Sequence, residues 1–304
     1  MKEIILITGA GGMVAQKLAL LLQPKYDIRF LTRTPARNNE FQWDIAAGTI
    51  DENALSDVTH IIHLAGANIS ERKWTEQRKQ EIILSRTNSA RLILETLRRK
   101  DHKIKSFISA SAVGFYDQHL TSAAIETDTK GTDFLSDVVF QWESEADLFL
   151  TEGVAERVVK LRSGVVLGPK GGALKKMQFP VKLGIGSALG TGKQFIPWIH
   201  IDDLCAIYTE AVVNPAIEGT YNAVAPEFCT NEQFIRTLAK TLQKPFFFPR
   251  IPAFLIRLLL GEAACIVLEG RKISADKIQR EGFSFKYSNL SAAFDDLLKT
   301  KTVS

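Results

Sequence analysis

The chain has 304 residues, 45% of them hydrophobic and 24% charged, the usual composition of a globular protein with one large or two modest domains. Its net charge of +4 is too small to indicate nucleic acid as a partner. Three cysteines, at positions 205, 229 and 265, stand far apart without metal-ligand spacing. We therefore expect no bound metal, and this cysteine pattern fits a reducing cytoplasm.

Short β-branched runs alternate with helical stretches through the first two thirds of the chain. We predict strands over 4–8, 27–32, 59–65, 105–111 and 157–161, and helices over 13–23, within 74–100 and near 134–151. Pro24 marks the end of the first helix. Strand–helix alternation implies right-handed crossovers and a parallel sheet. The sequence therefore predicts an α/β fold of the Rossmann type, with a doubly wound parallel sheet.

The pattern changes after residue 167, where glycine-rich loops and helices replace the alternation. We predict a Rossmann domain over 1–167 and a smaller helix-rich C-terminal domain over 168–304 that closes the ligand cleft, with some chain returning to the sheet near 195–225. The most apolar later stretch, 246–268, is interrupted by prolines, arginines and a glycine, so it does not predict a membrane span. Two short helices packed on the body are favoured; a helix lying on a membrane surface is the alternative.

A glycine-rich turn joins the first strand to the first helix. Gly9 permits a tight turn, and Gly12 lets the backbone approach a pyrophosphate at the positive end of the helix. The spacing is G-x-x-G-x-x-A, and Ala15 is small enough for close helix–strand packing. A buried strand before the turn and an amphipathic helix after it are the context that a dinucleotide-binding motif requires. The residues expected to contact the cofactor here are Gly9, Gly11, Gly12, Met13 and Val14.

The end of the second strand favours NADP(H) over NAD(H). NAD sites usually present a carboxylate there for the ribose hydroxyls, and this chain has none at that point. Arg33 can bind a 2′-phosphate through a bidentate, charge-assisted contact, and Thr34 adds a hydroxyl donor. Further cofactor contacts are expected at the ends of later strands, at Asp44, Leu64, Ala65, Gly66, Ser109 and Arg162.

Several segments resemble the extended short-chain dehydrogenase/reductase superfamily. They are ITGAGG at 7–12, LAGAN at 64–68 and WIHIDD at 198–203. More narrowly, KWT at 73–75, SR at 85–86, ISASAVG at 108–114, WE at 142–143, LRSGVVLGP at 161–169 and APE at 225–227 resemble an atypical branch of epimerase-like oxidoreductases. The tail over 252–262 is similar to that branch's C-terminal domain of unknown function, and some members carry the label cell division inhibitor. The resemblance runs nearly end to end and implies a nicotinamide dinucleotide as cofactor.

The superfamily's usual proton-transfer pair, Tyr-x-x-x-Lys on the helix after the fifth strand, is missing from this chain. Alignment on the WE segment puts Leu135 and Val139 at the Tyr and Lys positions, and neither side chain can transfer a proton. The atypical branch is similar in lacking the pair. Three other side chains are therefore the catalytic candidates, namely Ser111, Tyr116 and His200. For His200, the resemblance favours a structural, turn-capping role over that of a general base.

Two functions remain open at this point. The first is an NADP(H)-dependent oxidoreductase or epimerase-like enzyme that acts on a small polar metabolite. The second is a catalytically silent NADP(H)-binding protein that reports redox state to a partner. We expect no nucleic-acid or membrane partner, and a homodimer is possible by family analogy. The residues expected to contact a substrate lie in and after a glycine-rich loop, and they are Lys193, Gln194 and Trp198.

Overall fold

The computed structural model describes residues 2–119, 121–169 and 171–299. These residues contain ten strands and ten α-helices, joined by loops and short 3₁₀ turns. The strands are β1 Ile4–Thr8, β2 Asp27–Thr32, β3 Glu40–Asp44, β4 Thr49–Ile50, β5 Val58–His63, β6 Ile104–Ala112, β7 Ala155–Ser163, β8 Val165–Leu167, β9 Trp198–His200 and β10 Gly219–Ala223. The helices are α1 Met13–Leu22, α2 Glu76–Arg99, α3 Phe134–Thr151, α4 Gly172–Lys182, α5 Ile201–Val213, α6 Asn231–Thr241, α7 Ala253–Leu260, α8 Cys265–Leu268, α9 Asp276–Arg280 and α10 Leu290–Leu298.

Eight strands form one sheet in the order β10-β7-β6-β5-β1-β2-β3-β4. Every neighbouring pair is parallel except β3 and β4, which pair antiparallel. The chain builds outward from β1 to β4, then crosses back to β5 on the other side of β1. Strand order therefore reverses between β1 and β5, and open α/β sheets bind ligands in the crevice at the carboxyl ends of such strands. The predicted Rossmann fold is confirmed.

Helices cover both faces of this sheet. Ile5 and Ile7 of β1 point into one buried cluster with α1 and α5, whereas Leu6 between them points into a second cluster with α2 and α3. Successive side chains of a strand face opposite sides of a sheet, so a strand buried on both faces must be apolar at every position. This requirement explains the uninterrupted apolar run at the start of the chain.

The remainder of the chain is mostly helical. Strands β8 and β9 form a separate two-stranded parallel sheet. Helices α4, α6 and α10 pack around a third cluster that includes Leu174, Phe234 and Phe294. Strand β10 pairs parallel with β7 at one edge of the main sheet, within the range 195–225 where the chain was predicted to return to the sheet.

The apolar stretch at 246–268 folds into α7, a short 3₁₀ turn and α8. The prediction that these helices pack on the body is only partly right, because Phe254, Leu258 and Leu259 of α7 are largely exposed while Ile256 is buried. Among the described helices, none is at once long enough and apolar enough to cross a membrane.

Candidate functional site

The glycine-rich turn forms a narrow backbone cradle at the carboxyl end of β1. Gly9 has a φ of +73°, and a Cβ there would lie 3.1 Å from the carbonyl oxygen of Leu64. A Cβ on Gly12 would lie 3.1 Å from the carbonyl oxygen of Gly9, to which the Gly12 N–H donates a hydrogen bond of 2.8 Å. A Cβ on Gly11 would meet open space. A side chain is therefore disfavoured at Gly9 by both its φ and a tight contact and at Gly12 by a tight contact alone, whereas Gly11 has space for one.

Helix α1 begins at this cradle with its N-terminus free of side-chain caps and of acidic residues in its first turn. Helices α2 and α3, in contrast, are capped by Thr75 and Asp133. The first-turn N–H groups of a helix have no partner within the helix and carry its positive dipole end. Met13 and Val14 pack their side chains against the core, so they offer backbone N–H groups. Residues 9–14 therefore fit the pyrophosphate of a dinucleotide.

A buried hydrogen-bond chain ties the end of β1 to the end of β5. Thr8 Oγ1 accepts the backbone N–H groups of Leu64 and Ala65 at 2.9 and 3.0 Å. It also lies 3.0 Å from His63 Nδ1, and His63 Nε2 lies 3.0 Å from Ser89 Oγ. Because Thr8 Oγ1 already accepts two hydrogens, it donates its own to Nδ1, so the proton of the imidazole is on Nε2. Burial lowers the pKa of His63 to about 4, which keeps the ring neutral.

The turn after β5 is held by side chains from α2. The N–H of Ala67 donates to Ser85 Oγ at 2.9 Å, and its carbonyl oxygen accepts from Arg86 Nη2 at 3.1 Å. A Cβ on Gly66 would lie 3.1 Å from the Arg86 guanidinium carbon, which itself sits 5.0 Å from the centre of the Trp142 ring. Burial lowers the pKa of Arg86 to about 10. The SR and WE segments of the resemblance therefore support the backbone beside the predicted ribose position.

The end of β2 carries the residues predicted to contact a 2′-phosphate. Arg33 and Thr34 are exposed at the end of β2, as predicted for a 2′-phosphate contact. The Arg78 guanidinium, with Arg72 and Arg33 nearby, holds the pKa of Glu81 below its usual range. The sequence pattern gave no sign that the charges of Arg72 and Arg78 act on the same carboxylate as that of Arg33.

A buried polar cluster lies where β6 and β7 end. Ser111 Oγ donates to Glu143 Oε1 at 2.5 Å. Glu143 also forms a bidentate ion pair with Arg162, with both N–O distances 2.8 Å, and the Arg162 guanidinium lies 3.5 Å from the centre of the Phe115 ring. Because the single hydroxyl hydrogen of Ser111 is committed to Glu143, Ser111 can only accept a hydrogen bond from a substrate. Sequence reasoning missed Glu143, and its only signal was the WE segment.

The positions aligned with the missing Tyr and Lys are apolar in the structure as well. Leu135 lies against Gly114, where an added Cβ would approach the Leu135 Cβ to 3.4 Å. Val139 is buried in a cluster with Phe115 and Tyr116. No acid or base side chain replaces the pair at these two positions, so proton transfer would have to come from elsewhere.

Tyr116 and His200 do not provide that proton transfer. Tyr116 is fully buried, its hydroxyl donates to Asn222 Oδ1 at 2.7 Å, and burial raises its pKa to about 12. His200 is 1% exposed and caps α5, because its Nδ1 accepts the N–H of Asp202 at 3.1 Å. Burial lowers the pKa of His200 in spite of the nearby carboxylates of Asp202 and Asp296. We therefore remove both residues from the catalytic candidates.

Several other predicted contacts have structural roles. Trp198 is fully buried in the cluster of α4, α6 and α10, which rules out a substrate contact. Gln194 donates its amide N–H groups to the carbonyl oxygens of residues 189 and 267, so it holds the loop in place.

Three residues predicted to contact the cofactor also have structural roles. Arg162 is occupied by its ion pair with Glu143, and Asp44 accepts the N–H groups of residues 46 and 47 in a turn. Ser109 is buried inside β6. Lys193 is exposed and stays a prediction.

Two family models match the chain. Residues 5–136 match the NAD dependent epimerase/dehydratase family, and residues 251–297 match a domain of unknown function, DUF1731. An epimerase family protein of Staphylococcus haemolyticus is 36% identical over 297 residues, which cover 96% of this chain and 98% of that protein. The chain belongs to the epimerase family. An epimerase family protein of Staphylococcus aureus is also 36% identical, over 301 residues that cover 97% of this chain and 98% of the relative.

Solved structures agree with this assignment. The human epimerase family protein SDR39U1, crystallised with NADPH, superposes with a TM-score of 0.86 at 30% identity, over 97% of this chain and 98% of that one. The UDP-glucuronic acid 4-epimerase of Bacillus cereus, in complex with UDP-glucuronic acid and NAD, has a TM-score of 0.78 at 18% identity, over 97% and 98% of the two chains. The second likeness shows the fold alone.

The buried ion pair predicts a large effect of Glu143→Gln on stability. The substitution keeps the shape of the side chain but leaves Arg162 as an unpaired buried charge, so we expect the free energy of unfolding in urea to fall by about 3–5 kcal/mol. Asp147→Asn is the matched control on the same helix, because Asp147 is half exposed and pairs with Lys160. We expect that control to cost at most about 1 kcal/mol. Equal, small losses in both variants would contradict the described ion pair.

The neutral imidazole of His63 predicts a specific pH dependence. Its pKa is about 4 in the folded chain, below the 6.5 of a free imidazole, so the unfolded chain binds the extra proton first. The stabilisation is therefore present above pH 6.5 and is lost as pH falls towards 4, by about 2 kcal/mol at pH 5.

The measurement compares unfolding free energies at pH 7 and pH 5 for wild type and His63→Gln. The variant should lose less stability on acidification, even though buried His60 and His200 still titrate in it with lowered pKa values. The exposed His119→Gln is the control and should behave as wild type. An unchanged pH response in His63→Gln would show that the ring is not held neutral.

Proposed function

We propose that this epimerase family protein binds NADP(H) at the cradle of Gly9 and Gly12 and uses it as an oxidoreductase on a small polar metabolite. The observation that carries the proposal is the close backbone packing of the cradle at the uncapped N-terminus of α1. A Cβ on either glycine would lie 3.1 Å from a backbone carbonyl oxygen, a contact that forces the backbone to shift, and the free N–H groups suit an anion. The NADPH in the crystal structure of the 30% identical human relative supports the same cofactor.

Each part of the cofactor has residues that would hold it. The pyrophosphate would lie against the first turn of α1, and the ribose beside the backbone of Leu64–Gly66. Arg33 would bind the 2′-phosphate, and Arg78 is already paired with Glu81 at 2.6 Å. When bound, the nicotinamide supplies hydride transfer, and the protein has to orient it and exclude side reactions.

Ser111, near the end of β6, is the remaining candidate for substrate contact, and because it is 2% exposed, substrate binding would have to uncover its hydroxyl. Its hydroxyl can accept a hydrogen bond from a substrate hydroxyl while Glu143 fixes its orientation at 2.5 Å. This arrangement favours a polar, hydroxyl-bearing substrate. Ser111→Ala tests the role: a lower turnover number with unchanged NADPH affinity is expected, and an undiminished rate would remove Ser111 from the reaction.

A second candidate function is a catalytically silent NADP(H)-binding redox sensor. The observation that favours it is the pair of aliphatic side chains at the usual acid/base positions, Leu135 and Val139, together with the burial of Tyr116 and His200. A panel of aldehydes, ketones and nucleotide sugars separates the two functions. Oxidation of NADPH by any panel member supports the enzyme. Tight binding without turnover, and a partner affinity that differs between NADP⁺ and NADPH, supports the sensor.

The arginine position predicts the cofactor preference. Arg33→Glu replaces a charge-assisted contact by repulsion, so the dissociation constant for NADPH should rise by about 10- to 100-fold and that for NADH by less than about threefold. Nicotinamide fluorescence measures both. Arg37→Glu, an equal change of charge on an exposed residue of the same loop, is the control and should leave both affinities close to wild type. Unchanged NADPH affinity in Arg33→Glu would refute the 2′-phosphate assignment.

A further inference from the structure

The C-terminal region exposes an unusually large apolar surface, which we call the C-terminal apolar surface. Two chain segments form it, 172–186 and 244–260. Phe254 is 66% exposed, Leu258 73% and Phe247 73%. Monomeric proteins seldom expose contiguous apolar patches of more than a few hundred Å², and larger ones mark interaction sites. The other exposed apolar residues of this surface are Phe179, Leu183, Ile185, Phe248, Ile251, Leu255, Leu259 and Leu260.

The exposed side chains of α7 lie along one stripe of the helix. Phe254 and Leu258 are four residues apart, as are Leu255 and Leu259, and such pairs are neighbours on a helix surface. Ile256 points the other way and is 6% exposed. Arg257, also exposed, lies at the edge of the stripe next to Phe254. An apolar stripe with a cation at its margin is the pattern of a helix that lies in a membrane interface.

The two segments are contiguous in space. The backbone N–H of Ile251 donates to the carbonyl oxygen of Ala188 at 2.9 Å, and the N–H of Gly190 donates to the carbonyl oxygen of Ile251 at 2.8 Å. A Cβ on Gly184 would contact the ring of Pro245 at 3.9 Å. The loop after α4 and the chain leading into α7 are therefore neighbours in the fold.

Within the two segments, every charged residue is a cation. Neither segment contains an aspartate or a glutamate. Arg250 pairs with Glu232 and Lys176 donates to Ser70, while the other cations are directed to the surface. Beyond α7, Glu262 and Glu269 line the same pocket as Arg257, and Glu262 pairs with Lys79 at 2.6 Å. The exposed cations of the two segments are Lys175, Lys182, Lys244 and Arg257.

We propose that the C-terminal apolar surface docks on an anionic phospholipid membrane, with the phenylalanines and leucines of α7 inserted at the interface and the lysines and arginines at the headgroups. Lipid satisfies both features at once, because acyl chains accept the apolar stripe and anionic headgroups attract the cations. A second copy of the chain fits less well, because a two-fold contact would face two surfaces that carry cations and no carboxylate within their segments. This inference is independent of the proposed function and replaces the expectation that no membrane is a partner.

Co-sedimentation of the full chain with vesicles tests this proposal. One set of vesicles contains phosphatidylcholine alone, and the other contains equimolar phosphatidylcholine and phosphatidylglycerol. We expect at least about tenfold stronger partitioning to the anionic vesicles, weakened by added salt. The double variant Phe254→Ser/Leu258→Ser should lose at least about tenfold of that partitioning.

Leu20→Ser/Leu150→Ser is the matched control, because these leucines are 65% and 50% exposed on α1 and α3, outside the surface. The control should bind as wild type, and circular dichroism should show that both variants are folded. Three results would overturn the proposal: no vesicle binding by the wild type, equal binding to neutral and anionic vesicles, or an equal loss in the control. Self-association that is abolished by Phe254→Ser/Leu258→Ser, without vesicle binding, would instead identify a second copy as the occupant.

Discussion

The site depends on the hydroxyl of Thr8, which joins the ends of two adjacent parallel strands. Thr8 is fully buried, and its Oγ1 accepts two backbone N–H groups from the turn after β5. A buried polar group is costly unless its hydrogen bonds are made, so this arrangement is cooperative. His63 and Ser89 complete the chain and link it to α2. With the β5 turn fixed in this way, the left-handed turn at Gly9 can pack directly on the Leu64 carbonyl.

Residues of the SR and WE segments surround the joined ends of β1 and β5 and support them. Arg86 holds the backbone after β5, and its guanidinium rests on the Trp142 ring. Glu143, the next residue of α3, fixes Ser111 and Arg162. The helix that carries the Tyr–Lys pair in the wider superfamily thus supplies structural support here. Helix α3 therefore contributes residues that hold the backbone and Ser111 in place, but no acid or base at positions 135 and 139.

Much of the fold followed from local sequence patterns. The period of the apolar residues predicted β1, α1 and α3 closely, because burial on one or both faces dictates the spacing directly. The cradle was predictable for a similar reason, since only glycine fits the left-handed conformation and the close approach at Gly9. Such features depend on residues that are close in sequence.

The predictions that were wrong concern residues whose surroundings come from distant parts of the chain. Arg162 and Tyr116 looked available for ligands because the sequence did not reveal their partners, Glu143 and Asn222, which come from distant elements. Trp198 looked like a cleft residue but is covered by helices that follow it in the chain. The exposed face of α7 was expected only under the alternative of a helix on a membrane surface, because an apolar run predicts burial unless the position of its neighbours is known.

The most direct test of the cradle is an NADPH titration, followed by nicotinamide fluorescence, of wild type, Gly9→Ala and Gly11→Ala. At Gly9 a methyl group faces both a positive φ and the Leu64 carbonyl, whereas at Gly11 it meets open space. The account predicts micromolar binding by wild type and Gly11→Ala and a loss of at least about 10-fold in Gly9→Ala, with circular dichroism confirming that all three are folded. Absence of saturable binding by the wild type, or equal affinity in Gly9→Ala, would contradict it.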